Sequence, residues 1–192
     1  MGRTQAFDTD EAVRCARAVF WERGYEEASL PELERATGLS RSSIYHAFGN
    51  KRGLFDAAVS SYLDEIIRPR LRSLNAPDVA EDAIVEYFTA LRAALAQPGT
   101  PQSHHGCLLL NAAGAPIANE SAVSLAIAGY RDELQASLGR GVGAHRRGIG
   151  DGARLQLATV LSSLVIAAMT LARIDKDQAL ATLDTALELL GN

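Results

Sequence analysis

Apolar residues recur along this chain at three- and four-residue intervals, and no run alternates with a period of two, which predicts an all-α protein. The first helix opens at Asp8, with Glu11 at capping-box spacing, and Gly24 supplies a left-handed stop. Between them Ala12, Cys15, Ala16, Val19 and Phe20 form one apolar stripe. A second start signal is Ser29-Leu30-Pro31-Glu32. Serine caps, Glu32 reaches back to the cap, and proline sits where amides have no helical partner. Gly38 ends this short helix, with Leu30, Leu33, Ala36 and Leu39 expected to face inward. Ser40 caps a third helix that Phe48-Gly49 closes, and Asn50 caps a fourth that runs through Leu54, Phe55, Ala58, Tyr62 and Ile66 toward Pro69.

Beyond Pro77 the helices lengthen. The pattern predicts them over residues 78–97, from Gly106 to Gly114, over 120–138, 153–173 and 176–190. Residues 139–152 are rich in glycine and arginine and read as a flexible connection. With no G-K-[ST] ending and no preceding strand, they do not form a phosphate-cradling loop.

Composition narrows the class. The chain has 192 residues, 47% of them hydrophobic, enough to bury a core. A net charge of −4 weighs against nucleic-acid binding by bulk electrostatics and turns attention to local basic surface. Cys15 and Cys107 are the only cysteines, with no C-x-x-C pair, so neither a disulfide framework nor a zinc knuckle is expected; no metal or cofactor is implied. Met1 to Asp10 contains no apolar leader segment. The longest apolar run, residues 155–172, carries Gln156, Thr159, Ser162, Ser163 and Thr170 and reads as a buried interface helix rather than a membrane span. A cytoplasmic protein with no membrane partner is expected.

Only Gly38-Leu39-Ser40 separates the second and third helices, the spacing of a helix-turn-helix over residues 29–48. On the third helix Ile44 and Phe48 share an inward face, leaving Arg41, Ser42, Ser43, Tyr45 and His46 outside. These groups suit base edges and phosphates, with no carboxylate among them. From Leu39 to Phe55 the basic residues are Arg41, Lys51 and Arg52, again without Asp or Glu, and Lys51 in the first turn of the fourth helix is placed to meet phosphates. Gly24-Tyr25, Ser29-Leu30-Pro31-Glu32-Leu33, Ala36-Thr37-Gly38-Leu39-Ser40, Ile44-Tyr45-His46-Ala47-Phe48 and Lys51-Arg52-Gly53-Leu54-Phe55 together resemble the N-terminal domain of the TetR/AcrR family of regulators. Where that family often has Lys-Gly-Thr before the aromatic, this chain has Arg41-Ser42-Ser43, which leaves the operator sequence unread.

The resemblance implies a DNA-binding domain over residues 1–52, then a helical ligand-binding and dimerisation domain over 53–192. It implies a homodimer on a palindromic double-stranded DNA operator, released when a small-molecule effector binds; repression is expected, and no enzyme activity. Candidate pocket residues are Tyr87, Leu91, Cys107, Asn111 and Met169. Asn111 either faces the pocket or turns to solvent. Cys107, after His104-His105-Gly106, is either a reactive thiolate at a helix start, as in family members that respond to electrophiles, or a buried inert thiol. Leu161, Val165, Ala168, Leu183 and Leu187 repeat at helical spacing and either form the dimer interface, which the resemblance favours, or pack into the chain's own core. Two rival readings are a thiol-dependent enzyme using Cys107 with His104 or His105, and a ligand-binding module that has lost DNA binding.

Overall fold

The structure is a computed structural model that describes residues 8–191. The first seven residues of the stretch read for a leader, and Asn192 at the end of the second domain, lie outside the described residues. All regular structure among the described residues is helical.

Four helices build the N-terminal head: α1 (Thr9–Glu27), α2 (Leu30–Thr37), α3 (Arg41–Phe48) and α4 (Lys51–Tyr62). Asp8 caps α1 by accepting from the amides of Asp10 and Glu11. Gly24 takes a positive φ of 81°, but it kinks the helix rather than ending it, and α1 runs on to Glu27. Ser29 and Glu32 form both halves of the expected capping box. The head closes around Ala16, Phe20, Leu33, Ile44, Leu54 and Phe55, all fully buried, with Phe20 and Phe55 edge to face at 5.1 Å. Ala36, expected inside, is exposed: the short α2 buries only Leu33 completely, and Leu30 is half-buried. Gly53 has a steric reason to be glycine, because a Cβ there would stand 1.9 Å from the carbonyl oxygen of Phe48.

After Tyr62 the helix widens into a π-helical segment, Leu63–Ile67, before the short α5 (Arg68–Leu71). Pro69 lacks an amide hydrogen and its ring crowds the preceding turn, and the wider turn accommodates it. The body follows as α6 (Ala83–Ala96), α7 (Pro101–His105), α8 (Leu108–Ala113), α9 (Ser121–His145), α10 (Asp151–Leu171) and α11 (Lys176–Gly191).

The expected glycine-rich connection is corrected by the structure. Residues 139–145 are helical and only 146–150 connect α9 to α10. Gly141 is buried where a Cβ would stand 2.7 Å from Leu74 and 2.9 Å from Ile84, so glycine here permits close helix packing. Tertiary contact thus overrides glycine's poor helix propensity.

The expected dimer seam needs the same scrutiny. Leu161, Val165, Ala168 and Leu183 are all buried inside the single chain at 1% exposure or less, so they belong to its own core and no partner can reach them. Leu187 is half-buried. A neighbouring stripe, about 100° round the helix, is also apolar: Leu157, Val160, Leu164, Ala167 and Leu171, continued by Ile174 just past the helix end, repeat at spacings of three and four and remain half-buried or exposed, Ile174 at 81%. The stripe keeps heptad spacing; Leu157, Leu164 and Leu171 pack partly against the core and leave the rest of its surface to solvent. The two stripes together explain why Asp151–Leu171 is long and apolar enough, by length and composition, to cross a membrane.

Candidate nucleic-acid interface and its link to a buried cavity

The helix-turn-helix is assembled by side chains that close each backbone end. Gly38 turns the chain in the left-handed region, at φ 68° and ψ 8°. Thr37 holds both sides of the turn, donating to the Leu33 carbonyl at 2.7 Å and accepting from the Leu39 amide at 3.2 Å. Ser40 caps α3 through the Ser43 amide at 3.2 Å, and its hydroxyl also bonds those of Ser42 and Ser43 at 2.9 and 3.0 Å. The Glu34 carboxylate accepts the Arg41 amide at 2.5 Å. Ile44 is fully buried, so α3 is fixed with Arg41, Ser42, Tyr45 and His46 outward; Tyr45 is 42% exposed. Ser43 is half-buried and tied to the cap.

The basic residues are less free than their spacing suggests. Arg52 is held by Asp56 at 2.9 Å and Glu120 at 3.0 Å, so its charge is spent within the chain. Lys51 lies 4.5 Å over the Tyr25 ring and donates to the Glu26 carbonyl at 3.4 Å. Burial lowers its pKa, opposed by Glu26. Arg41 carries the exposed charge of the reading helix.

Three contacts tie this head to the segment 106–120 of the body. Trp21 Nε1 donates to the Gly106 carbonyl at 3.2 Å, Glu26 accepts the Ile117 amide at 2.9 Å, and Arg52 pairs with Glu120. Tyr25, Glu26, Arg52, Pro116, Ile117 and Glu120 line a cleft of about 320 Å³ where head and body meet. None of these connections was foreseen from sequence. Residues 21 and 106 are far apart in the chain, and no local pattern joins them.

A separate cavity lies inside the body. Ile67, Arg70, Leu71, Tyr87, Leu91, Tyr130, Leu134, Val165 and Met169 enclose a space of about 20 Å³, and Arg70, Tyr87, Ala90 and Leu91 line an adjoining one of about 80 Å³. Tyr87, Leu91 and Met169 are therefore brought together as expected. Arg70 and Tyr130 were missed, because a lone arginine beside a proline and a tyrosine amid polar residues carry no periodic signal. Asn111 is corrected to a structural role: its Nδ2 donates to the His105 carbonyl at 2.7 Å, bracing the turn between α7 and α8. A larger hollow, about 580 Å³, opens between α9 and the start of α10, but it is a surface groove beside exposed Leu155 and is separate from the body cavity.

Cys107 sits at the N-cap of α8, fully buried, and is not among the residues that line the cavity. Burial pushes its thiol pKa up; the Tyr62 hydroxyl, the Leu110 and Leu109 amides and the Tyr130 hydroxyl pull the other way without reversing it. The adjacent imidazole offers no help, since burial lowers the His105 pKa and leaves the ring neutral near pH 7. The thiol is therefore shielded and its thiolate disfavoured, which weighs against its use as a nucleophile. Under native conditions Cys107 should react with a thiol reagent only as fast as the body opens, and much more slowly than in urea. Equal native and denatured rates, measured for Cys15→Ser to isolate this site, would contradict its burial.

Comparison with known proteins follows the geometry. The family model for bacterial regulatory proteins, tetR family, matches residues 13–58. The HTH-type transcriptional repressor ComR of Escherichia coli (strain K12) is 35% identical over 111 residues, 57% of this chain and 51% of that protein. The uncharacterized HTH-type transcriptional regulator YezE of Bacillus subtilis (strain 168) is 37% identical over 59% of this chain and 57% of its own length. The chain thus spans about half the length of these curated relatives. A cysteine mutant of the TetR family transcriptional regulator CifR, complexed with 26bp double-strand operator DNA, superposes with a TM-score of 0.77 and 32% identity, covering 97% of this chain and 98% of that one. Reduced Escherichia coli NemR superposes at 0.78 with 20% identity over 94% of this chain and 93% of its own, a likeness of fold alone.

Proposed function

This chain belongs to the TetR family of transcriptional regulators, and from that premise we propose that it is a DNA-binding repressor, cytoplasmic and dimeric, whose hold on its operator is released by a small-molecule effector. The observation that carries the reading is α3. Its outward face presents Arg41, Ser42, Tyr45 and His46 with no carboxylate, on a helix fixed by Ile44 and the Ser40 cap. The structural relative bound to operator DNA supports the same use of this face.

We assign DNA contacts to Arg41, Ser42, Tyr45 and His46, with Ser43 completing the cap that orients them. Lys51 meets a phosphate after leaving the Tyr25 ring. Lys51→Ala should weaken binding to every sequence alike and reduce the salt slope by about one unit. An unchanged slope in a salt titration would take Lys51 out of the interface.

The second copy of the chain is assigned to the outer seam of α10, Leu157 to Ile174, joined by Leu180 and Leu187 of α11. Two recognition helices must stand about one duplex turn, ~34 Å, apart to read successive major grooves. The effector acts through the cavity lined by Ile67, Arg70 and Met169; Met169 packs against Gly106, and the segment 106–120 passes the change to the head through its contacts with Trp21, Glu26 and Arg52. A ligand that favours the conformation with wrongly spaced heads lowers operator affinity by its own coupling factor.

A further inference from the structure

The body cavity holds a positive charge that nothing else in the chain uses. Arg70 lines both of its adjoining spaces and is the one charged side chain in either lining. Its neighbour Arg68 pairs with Asp64 and Glu133, whereas Arg70 has no hydrogen bond or ion pair among the described residues. Arg68 and Arg72 line an outer hollow with Asp64 and Glu133, on the other side of the helix.

A second observation lies deeper. The Tyr62 hydroxyl is fully buried and has no hydrogen-bond partner among the described residues. Such a group costs free energy that an incoming acceptor would recover. It sits against Cys107 and within the electrostatic reach of Tyr130 and Arg70. Tyr62 is not itself among the lining residues, whose polar groups are Arg70, Tyr87 and Tyr130; the other walls, among them Leu91, Leu134, Val165 and Met169, are apolar.

We propose that this cavity binds a small, largely apolar molecule ending in a carboxylate, with the Arg70 guanidinium pairing the carboxylate, the Tyr87 and Tyr130 hydroxyls of the lining donating to it, and the Tyr62 hydroxyl reached once the walls part. A guanidinium fork matches a carboxylate in two parallel hydrogen bonds, and partial burial strengthens them. Cations are disfavoured because no carboxylate lines either space, and polyanions because one arginine meets only one charge. The enclosed space is small, so entry requires the walls to part. Met169, unbranched and flexible, is the wall best able to move, and its carbonyl lies where a Cβ on Gly106 would fall, at 2.1 Å. Ligand entry therefore bears directly on the residue that holds Trp21.

The chemical class of the effector rests on the effector-responsive reading above, but the binding itself is measurable without DNA. Titration calorimetry on the full-length protein would compare benzoate and hexanoate with benzamide and hexanamide. The acids should bind about tenfold or more tightly than their amides. Arg70→Met should erase that preference, weakening the acids far more than the amides, and Arg70→Lys should retain part of it should the methionine variant fail to fold. Tyr62→Phe should raise Tm yet weaken the acids. Amides binding as well as acids, no acid binding at millimolar concentration, or a preference that survives Arg70→Met and Arg70→Lys alike to the full wild-type extent would overturn the proposal. Acid binding that leaves operator affinity untouched would uphold the carboxylate site and overturn the effector role.

Discussion

A chain carrying Leu164→Glu and Leu171→Glu is expected to fold but to sediment as a monomer, and to bind operator DNA about 10²-fold or more weakly. Both leucines are half-buried on the outer side of α10, in the heptad seam from Leu157 to Ile174. In the monomer a glutamate at either place reaches water. In a dimer two such charges, doubled by symmetry, would stand desolvated and unpaired among leucines, at a cost of several kcal/mol. Loss of the second head then removes the gain of reading two half-sites at once. Leu161→Glu serves as the contrast: Leu161 is fully buried in the chain's own core, so this variant should lose its fold and not merely its partner. Sedimentation of the folded double variant as a dimer would remove the seam from the account.

Gly106→Ala should be strongly destabilising. Gly106 has φ 62° and ψ −121°, a conformation that alanine resists, and a Cβ there would stand 2.1 Å from the Met169 carbonyl oxygen. Neither problem has a local remedy, because the clash is with backbone. The carbonyl of Gly106 accepts from Trp21, so any shift also loosens α1 from the body. Strain and clash together should cost about 3 kcal/mol or more. For a chain of this length that lowers Tm by about 10 °C. A thermal melt within a degree or two of wild type would show that the turn between α7 and α8 is not held as described.

The two variants also mark what the sequence made legible. The head was readable because its determinants are local: the Ser29–Glu32 box, Gly38 at its left-handed turn, Ser40 and Asn50 each capping the helix that follows. The three residues Tyr87, Leu91 and Met169 were placed on one cavity because all lie on apolar helical faces. The expected dimer seam fell on core residues for an equally physical reason. α10 carries two neighbouring apolar stripes, and periodicity cannot say which one meets α9 and α11. The run 139–145 was misread because its helicity depends on Gly141 nesting against Leu74 and Ile84, contacts distant in sequence. Arg70, Tyr62 and the ties from Trp21, Glu26 and Arg52 to segment 106–120 are products of the tertiary fold, and no short-range pattern announces them.

The central claim, that α3 reads a specific duplex as part of a dimer, is tested most directly by fluorescence anisotropy with a palindromic fragment from the protein's own promoter region and a scrambled fragment of equal length. Measured across a salt series, the palindrome should bind at least about 10³-fold more tightly, with one dimer per fragment and a steep fall in affinity as salt rises. Arg41→Ala should abolish most of that preference while leaving the weak binding to scrambled DNA. Equal affinity for the two fragments, or an affinity insensitive to salt, would contradict the account.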